Sequence, residues 1–407
     1  MKKLKLKEVS EIYGGYAFKS KDFGVGENFV VKIKDIKPPI IDVENADKVD
    51  ISKYSTQKLE KFKVFPDDIV IAMTGATIGK VGRNKSGRTV FLNQRVAKIN
   101  PNFKEDLDFI YYCINNTVFL EYVLNNVDSK SAQANISHFG IGNFEINWYD
   151  RETRQKIAKV LTCLDDKIFI NSQINQELEA MAKTLYDYWF VQFDFPDQNG
   201  NPYKSSGGKM VYHPGLKREI PEGWGVEKLE NIANITMGQS PKGTSYNEVG
   251  EGMLFFQGST DFGWRFPMAR QYTTEPSRMA EEDDILLSVR APVGTLNIAD
   301  TRCCIGRGLA AINSKIGANS YIFNVMQDFK KLFDLRNSVG TTFGSITKDD
   351  LYNLKIIYPP NELLMNFDQL VKSFDREIKN RSRQNQELTQ FRDWLLPMLM
   401  NGQVKVE

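Results

Sequence analysis

The 407-residue chain is poor in histidine and cysteine, with two of the first (His138, His213) and four of the second (Cys113, Cys163, Cys303, Cys304). Two histidines are too few for a His-rich metal site and argue against a histidine-based hydrolase. The cysteines have no paired spacing, and the neighbours Cys303 and Cys304 cannot form an ordinary structural bridge, so a reducing, cytoplasmic compartment is expected. No stretch approaches the roughly 18 uncharged apolar residues of a membrane-spanning helix. The opening Met1-Lys2-Lys3-Leu4-Lys5-Leu6-Lys7-Glu8 lacks an apolar signal region, which argues against export. Neither sign of charge dominates: 53 basic and 51 acidic residues leave +2, so net charge does not by itself mark a nucleic-acid binder. At 41% hydrophobic and 26% charged, the composition suits a soluble protein able to bury real cores, and the length suits two to three domains.

Recognisable catalytic motifs are also missing. Gly75-Ala76-Thr77-Ile78-Gly79-Lys80 is one residue short of a phosphate loop, and Val81 stands where a hydroxyl would hold magnesium. A strand-connecting turn is the better reading. No Gly-x-Gly-x-x-Gly follows a strand, so a dinucleotide pocket is not indicated. Lys37-Pro38-Pro39-Ile40 and Tyr358-Pro359-Pro360-Asn361 lack the flanking residues of an amino-methyltransferase motif. Glu377-Ile378-Lys379 imitates a nuclease Glu-x-Lys but falls inside a helical pattern, and His138 has no nucleophile elbow beside it. The chain reads as non-catalytic.

What it does have is an internal repeat. Leu6-x-x-Val9-x-x-Ile12-x-x-Gly15 returns as Leu229-x-x-Ile232-x-x-Ile235-x-x-Gly238, an offset of 223 residues from Gly15 to Gly238. Asp67-Asp68-Ile69-Val70-Ile71-Ala72 returns as Asp283-Asp284-Ile285-Leu286-Leu287-Ser288, an offset of 216 from Asp68 to Asp284. Ile136-Ser137 and Asn175-Gln176-Glu177-Leu178 return as Ile346-Thr347 and Asn385-Gln386-Glu387-Leu388, an offset of 210 from Asn175 to Asn385. Fixed landmarks with variable spacers describe one scaffold bearing different loops. A domain-sized period excludes a solenoid.

Each copy begins with short β-branched runs punctuated by Gly, Asn and Asp, and ends in a heptad pattern. Steps of four and three from Ile157 reach Leu161, Leu164, Ile168, Asn171, Asn175, Leu178, Ala182, Leu185 and Trp189. The second seam runs through Phe367, Val371, Phe374, Ile378, Arg381, Asn385, Leu388, Arg392, Leu395 and Leu399. A 3.5-residue period marks a coiled-coil seam, and the polar seam positions fix register and partner at some cost in stability. The span from Ile157 to Trp189 amounts to roughly 48 Å of helix. The expected fold is α/β (α+β): two similar globular domains joined and separated by two long antiparallel helices forming a coiled coil. The expected boundaries are a first domain over 1–150, a long helix over 151–195, a linker over 196–220, a second domain over 221–360 and a distal helix over 361–407.

Several segments carry a family resemblance. Asp165-Asp166-Lys167-Ile168 through Asn175-Gln176-Glu177-Leu178, continuing to Leu185-Tyr186-Asp187-Tyr188-Trp189-Phe190-Val191-Gln192-Phe193-Asp194-Phe195, resembles the central region of a Type I restriction–modification specificity subunit. Pro221-x-Gly223-Trp224, Gly238-Gln239-Ser240-Pro241 and Leu287-Ser288-Val289-Arg290-Ala291-Pro292-Val293-Gly294 resemble that family's second target-recognition domain, and Asn385 through Leu396 its distal helix. The first domain departs from the pattern, with Gly15-Tyr16-Ala17-Phe18 in place of Gly238-Gln239-Ser240-Pro241 and Thr74-Gly75-Ala76 in place of Arg290-Ala291-Pro292.

The resemblance implies a non-enzymatic subunit that binds double-stranded DNA. Each domain would read one half of a split target, while the helices set the unread gap and dock two methyltransferase subunits, with a restriction–translocase subunit as a further partner. S-adenosylmethionine, ATP and magnesium would belong to those partners, and this chain would carry no cofactor. Two other readings stand beside it: a free-standing duplicated DNA-binding regulator, and an enzyme with an unfamiliar centre. A DNA reader needs cations for phosphates and donors for base edges. The candidates are Lys19, Lys21, Arg83, Lys85, Arg88 and Arg95 in the first copy, with the loop Arg83-Asn84-Lys85-Ser86-Gly87-Arg88 the foremost. In the second they are Lys242, Arg265, Arg270, Arg290 and Arg307, with Gln239, Ser240, Tyr246 and Asn247 as edge readers. Tyr16, Phe18 and Trp264 could stack on bases, with core packing the alternative.

Overall fold

The computed structural model describes residues 1–127, 134–338 and 345–406. The chain divides into two compact units, Met1–Ile170 with Asn385–Glu407 and Asn171–Gln384. Each is a mixed α and β body, and the repeat is visible in its strand register.

In the first unit, strand Lys2–Lys5 pairs antiparallel with Glu145–Trp148, which directly precedes the first long helix. The next strand, Ser10–Gly14, pairs with Val96–Pro101, which pairs in turn with Ile69–Ala72, so that Ile12, Ile99 and Ile69 lie in one row. In the second unit Gly225–Lys228 pairs with Lys355–Tyr358, and Ala233–Met237, Leu309–Ser314 and Ile285–Ser288 place Ile235, Ile312 and Ile285 in the corresponding row. The Asp-Asp landmark works identically in both. Asp67 and Asp283 take left-handed backbone (φ 70° and 68°), and the carboxylates of Asp68 and Asp284 accept the amides of Phe65 and Glu281. Asp tolerates that conformation better than most side chains, so the pair turns the chain into the strand.

The unbroken apolar run after each Asp pair follows from burial on both faces. Ile69 and Ile71 face the core that contains Leu6, Phe109, Ile157 and Leu399, whereas Val70 and Ala72 face a second core with Val31, Ile41 and Val90. Ile285 and Leu287 likewise face Leu229, Tyr321 and Phe367, and Leu286 faces Phe256 and Ile305. Alternate residues therefore serve different layers.

The long helices run over Arg151–Tyr186 and Asn361–Met400. Every seam position expected from the heptad is buried or half-buried, including Ile157, Leu164, Ile168, Asn175, Leu178 and Leu185 in the first helix and Phe374, Ile378, Asn385, Leu388 and Leu395 in the second. Each unit contains the beginning of one helix and the end of the other. In the first, Ile157 and Leu161 pack with Leu395 and Leu399; in the second, Ala182 and Tyr186 pack with Phe367 and Val371. The contacts pair early residues of one helix with late residues of the other, which makes the packing antiparallel. The division falls at the polar seam residues. Asn171 and Asn175 are fully buried; the Asn171 amide donates to Gln384 at 2.7 Å and the Asn175 amide to Ser382 at 3.2 Å, while Asn385 donates to the Ile168 carbonyl at 3.2 Å within the other unit.

Two expectations are corrected. Regular helix stops at Tyr186, and Asp187–Val191 form a π turn that brings Trp189 and Phe190 into the second core. Residues 196–220 are more than a linker, because Met210–His213 and Arg218–Pro221 form an antiparallel hairpin and Phe195 stacks between Tyr203 and Trp224. The Gly, Asn and Pro content of this stretch serves its turns, while its aromatics close the core.

Candidate nucleic-acid interface

The glycines that end the first repeated motif mark the same junction in both units. A Cβ on Gly15 would lie 2.0 Å from the Asn93 carbonyl oxygen, and one on Gly238 would lie 2.2 Å from that of Gly306. Only glycine permits this crossing of two backbones. The Gly15 amide donates to the Val96 carbonyl and the Gly238 amide to the Leu309 carbonyl, both at the start of the central strand of the row. The turn just before that strand carries Arg95 in the first unit and Arg307 in the second, and both side chains are exposed. The two copies therefore each present an exposed arginine in this turn, one register position apart.

Around Arg307 the second unit gathers more of the expected residues. Gln239 is exposed and its amide donates to Ile305; Ser240 accepts the Arg307 amide at 3.3 Å and bonds to Gln257. Lys242 is exposed beside Glu275 at 3.7 Å, and the Tyr246 hydroxyl donates to the Pro241 carbonyl at 3.0 Å. Asn247 braces its own turn through Glu251. Arg290 is exposed in the loop after the doubly buried strand, where its backbone bridges Ser345, as Thr74 bridges Asn135 in the first unit. Gln257 belongs to this cluster but was missed by the sequence reading; its one signal is a polar residue closing the apolar run Met253–Phe256.

In the first unit Lys19 and Lys21 are exposed on the loop that follows Gly15. Tyr16 and Phe18 do not serve as stacking platforms there, since they pack edge to face with Tyr54 and Phe91 and, for Tyr16, tilted against Phe62. Trp264 is half exposed in the second unit.

The foremost basic loop is an open cationic surface only in part, with Arg88 exposed and Arg83 turned inward. The Arg83 side chain is buried, its guanidinium 2.7 Å from Asp108 and over the Tyr111 ring. Lys85 pairs with Asp67 at 2.8 Å and lies 4.0 Å from Asp166 of the first long helix, and Arg88 pairs with Glu44 at 3.2 Å. In the second unit Arg265 is buried between Glu179 and Asp375, and Arg270 is paired with Asp261 at 2.8 Å. A cation already matched by a carboxylate has little left to offer a phosphate. The buried Arg83 and Arg265 thus leave the set of open contacts; Lys85, Arg88 and Arg270 are paired with carboxylates nearer the surface, as Lys242 is, and Lys19, Lys21, Arg95, Gln239, Ser240, Arg290 and Arg307 are the more open positions.

Two scaffolds of one design, each with a polar loop cluster and joined to paired long helices, define a duplicated recognition protein. Residues 1–180 and 221–390 each match the family model of the Type I restriction modification DNA specificity domain, so the chain belongs to that family. It is 29% identical over 392 residues to a protein of Methanocaldococcus jannaschii assigned as the MjaX specificity subunit of a type I restriction enzyme, covering 93% of this chain and 87% of that one. It is 26% identical over 428 residues to the MjaIX specificity subunit of the same organism, covering 99% and 93%. The fold is also that of the Type I restriction–modification S subunit from M. genitalium, with a TM-score of 0.58 at 15% identity over 98% of this chain and 96% of that one. This is a Type I specificity subunit. Among the described residues, no helix is long and apolar enough to cross a membrane.

Proposed function

We propose that each recognition domain reads one half of a split DNA target, that the helices set the gap between the halves, and that the helices and adjoining surfaces dock two methyltransferase subunits. S-adenosylmethionine chemistry then belongs to those subunits, and ATP- and magnesium-dependent cleavage to a restriction–translocase subunit that joins them. The observation that carries this reading is that two scaffolds of identical register each carry an exposed arginine, Arg95 and Arg307, in the turn before the central strand, in a chain whose long helices each contribute to both units. Duplicated heads with different loops suit two unlike half-sites. The near-neutral total charge is compatible with local cationic loops, because phosphate contacts act over about a Debye length.

The test is the methylome of cells carrying this chain with its cognate methyltransferase. A single bipartite motif is expected. Exchanging residues 1–150 for those of a relative changes one half-site only. Deleting seven residues from each helix preserves the heptad, removes about 10 Å of helix and shortens the gap by roughly three base pairs. Altered half-sites after that deletion, or methylation without a bipartite motif, overturn the reading.

A further inference from the structure

The apolar core beneath the second recognition domain is held by non-directional attraction. The ion pairs on the same face are directional. Arg265 is presented by a locked turn: Phe262 bridges Pro267, the Gly263 amide donates to Asn297 at 3.1 Å, and the Ile298 amide donates to the Arg265 carbonyl at 2.9 Å. Its guanidinium reaches Glu179 of the first helix at 3.0 Å and Asp375 of the second at 2.5 Å, and lies 4.2 Å from the centre of the Phe323 ring. One turn further along the second helix, Lys379 points the opposite charge at the domain, 2.6 Å from Glu282 and 2.8 Å from Asp283 in the Asp-Asp turn. Arg383, a turn beyond, meets Asp300 at 3.0 Å. Along this face the helix therefore presents acid and then base, and the domain presents base and then acid.

We infer that this charge order is a register key, with Arg265, Asp375 and Lys379 as positioning residues that hold the second recognition domain at one place on the helix pair and thereby fix the gap in the target. A shift of one turn in one direction sets Asp375 against Glu282 and Asp283. A shift the other way sets Lys379 against Arg265. Both juxtapose like charges, the first beside exposed carboxylates and the second against the buried Arg265 guanidinium, where the repulsion is less screened. The half-buried Asp375 carboxyl accords with this: desolvation raises its pKa, and Arg265 acts in the opposite direction.

The inference rests on the proposed spacer function, and its test separates the two. The methyltransferase complex is assembled with wild-type chain or with R265M/E179Q/D375N/K379M, which removes the key without leaving a lone buried charge, and methylomes are compared. Wild type is expected to methylate one gap length. The variant keeps both half-sites but methylates sites with one or two base pairs more or fewer about tenfold more than wild type does, a discrimination comparable to one mismatched pair. A variant that keeps a single gap, even with lowered thermal stability, overturns the register key and leaves the spacer reading standing. Wild type indifferent to gap length overturns both. Should the quadruple variant fail to fold, K379M alone carries the test, with relaxed gap selection again expected and an unchanged gap again decisive against the key.

Discussion

Arg392 of the second long helix closes on Asp165 of the first at 2.7 Å, and the Tyr112 hydroxyl donates to the other oxygen of the same carboxylate at 2.7 Å. Asp165 thus ties both helices to the helix Leu107–Ile114 of the first recognition domain. The pair is about four-fifths buried on each side. Replacing Asp165 by Asn leaves the guanidinium and hydroxyl with a poorer acceptor, and a loss of about 1–3 kcal/mol is expected in urea unfolding. Arg392→Ala should cost a similar amount, and the double variant less than the sum, because the second change removes a group already deprived of its partner.

Arg95→Ala and Arg307→Ala should each weaken DNA binding and lower the slope of log affinity against log salt by about one, as expected for loss of one phosphate contact. Arg83→Ala should behave differently. Its guanidinium is buried against Asp108, so the change should lower folding stability and leave the salt slope unaltered. Fluorescence titrations over a salt series distinguish the two outcomes.

Gly238→Ala places a methyl group 2.2 Å from the Gly306 carbonyl oxygen, with no flexible side chain to yield. The turn bearing Arg307 must move. Recognition of the half-site assigned to the second domain is expected to fall while the other half-site is unaffected, and Gly15→Ala should show the reverse. Methylation of hybrid targets, each with one half-site scrambled, reads this out.

Of the four cysteines only Cys163 is exposed. One thiol should react with a maleimide in the native protein and four after denaturation. Burial raises the Cys303 thiol to about 12, so it stays protonated at pH 9 and does not gain reactivity there. The sign for stability follows: between the ordinary thiol range and about 12 the native state holds a proton that the unfolded chain has released, so this contribution is present at neutral pH and is lost as pH rises through that window.

The periodic features were legible before any coordinates. The heptads located both helices, and the Asp-Asp landmark located the doubly buried strand in each unit, since both depend on patterns a few residues long. Which cations are open was not legible. Arg83 finds its acid at Asp108, and Arg265 finds its two at Glu179 and Asp375, separations that no local motif encodes. The hairpin Met210–Pro221 was hidden for another reason: its turn residues resemble those of a linker, and its burial comes from aromatics elsewhere in the fold.

Because the first compact unit needs residues 1–170 together with those after 384, whereas the second is contiguous, the order of synthesis and the order of completion differ. A ribosome that has passed Gln384 has delivered every part of the later half of the molecule, yet Ile157 and Leu161 still await Leu395 and Leu399. Premature termination between Gln384 and Leu395 would therefore strip apolar cover from the half translated first.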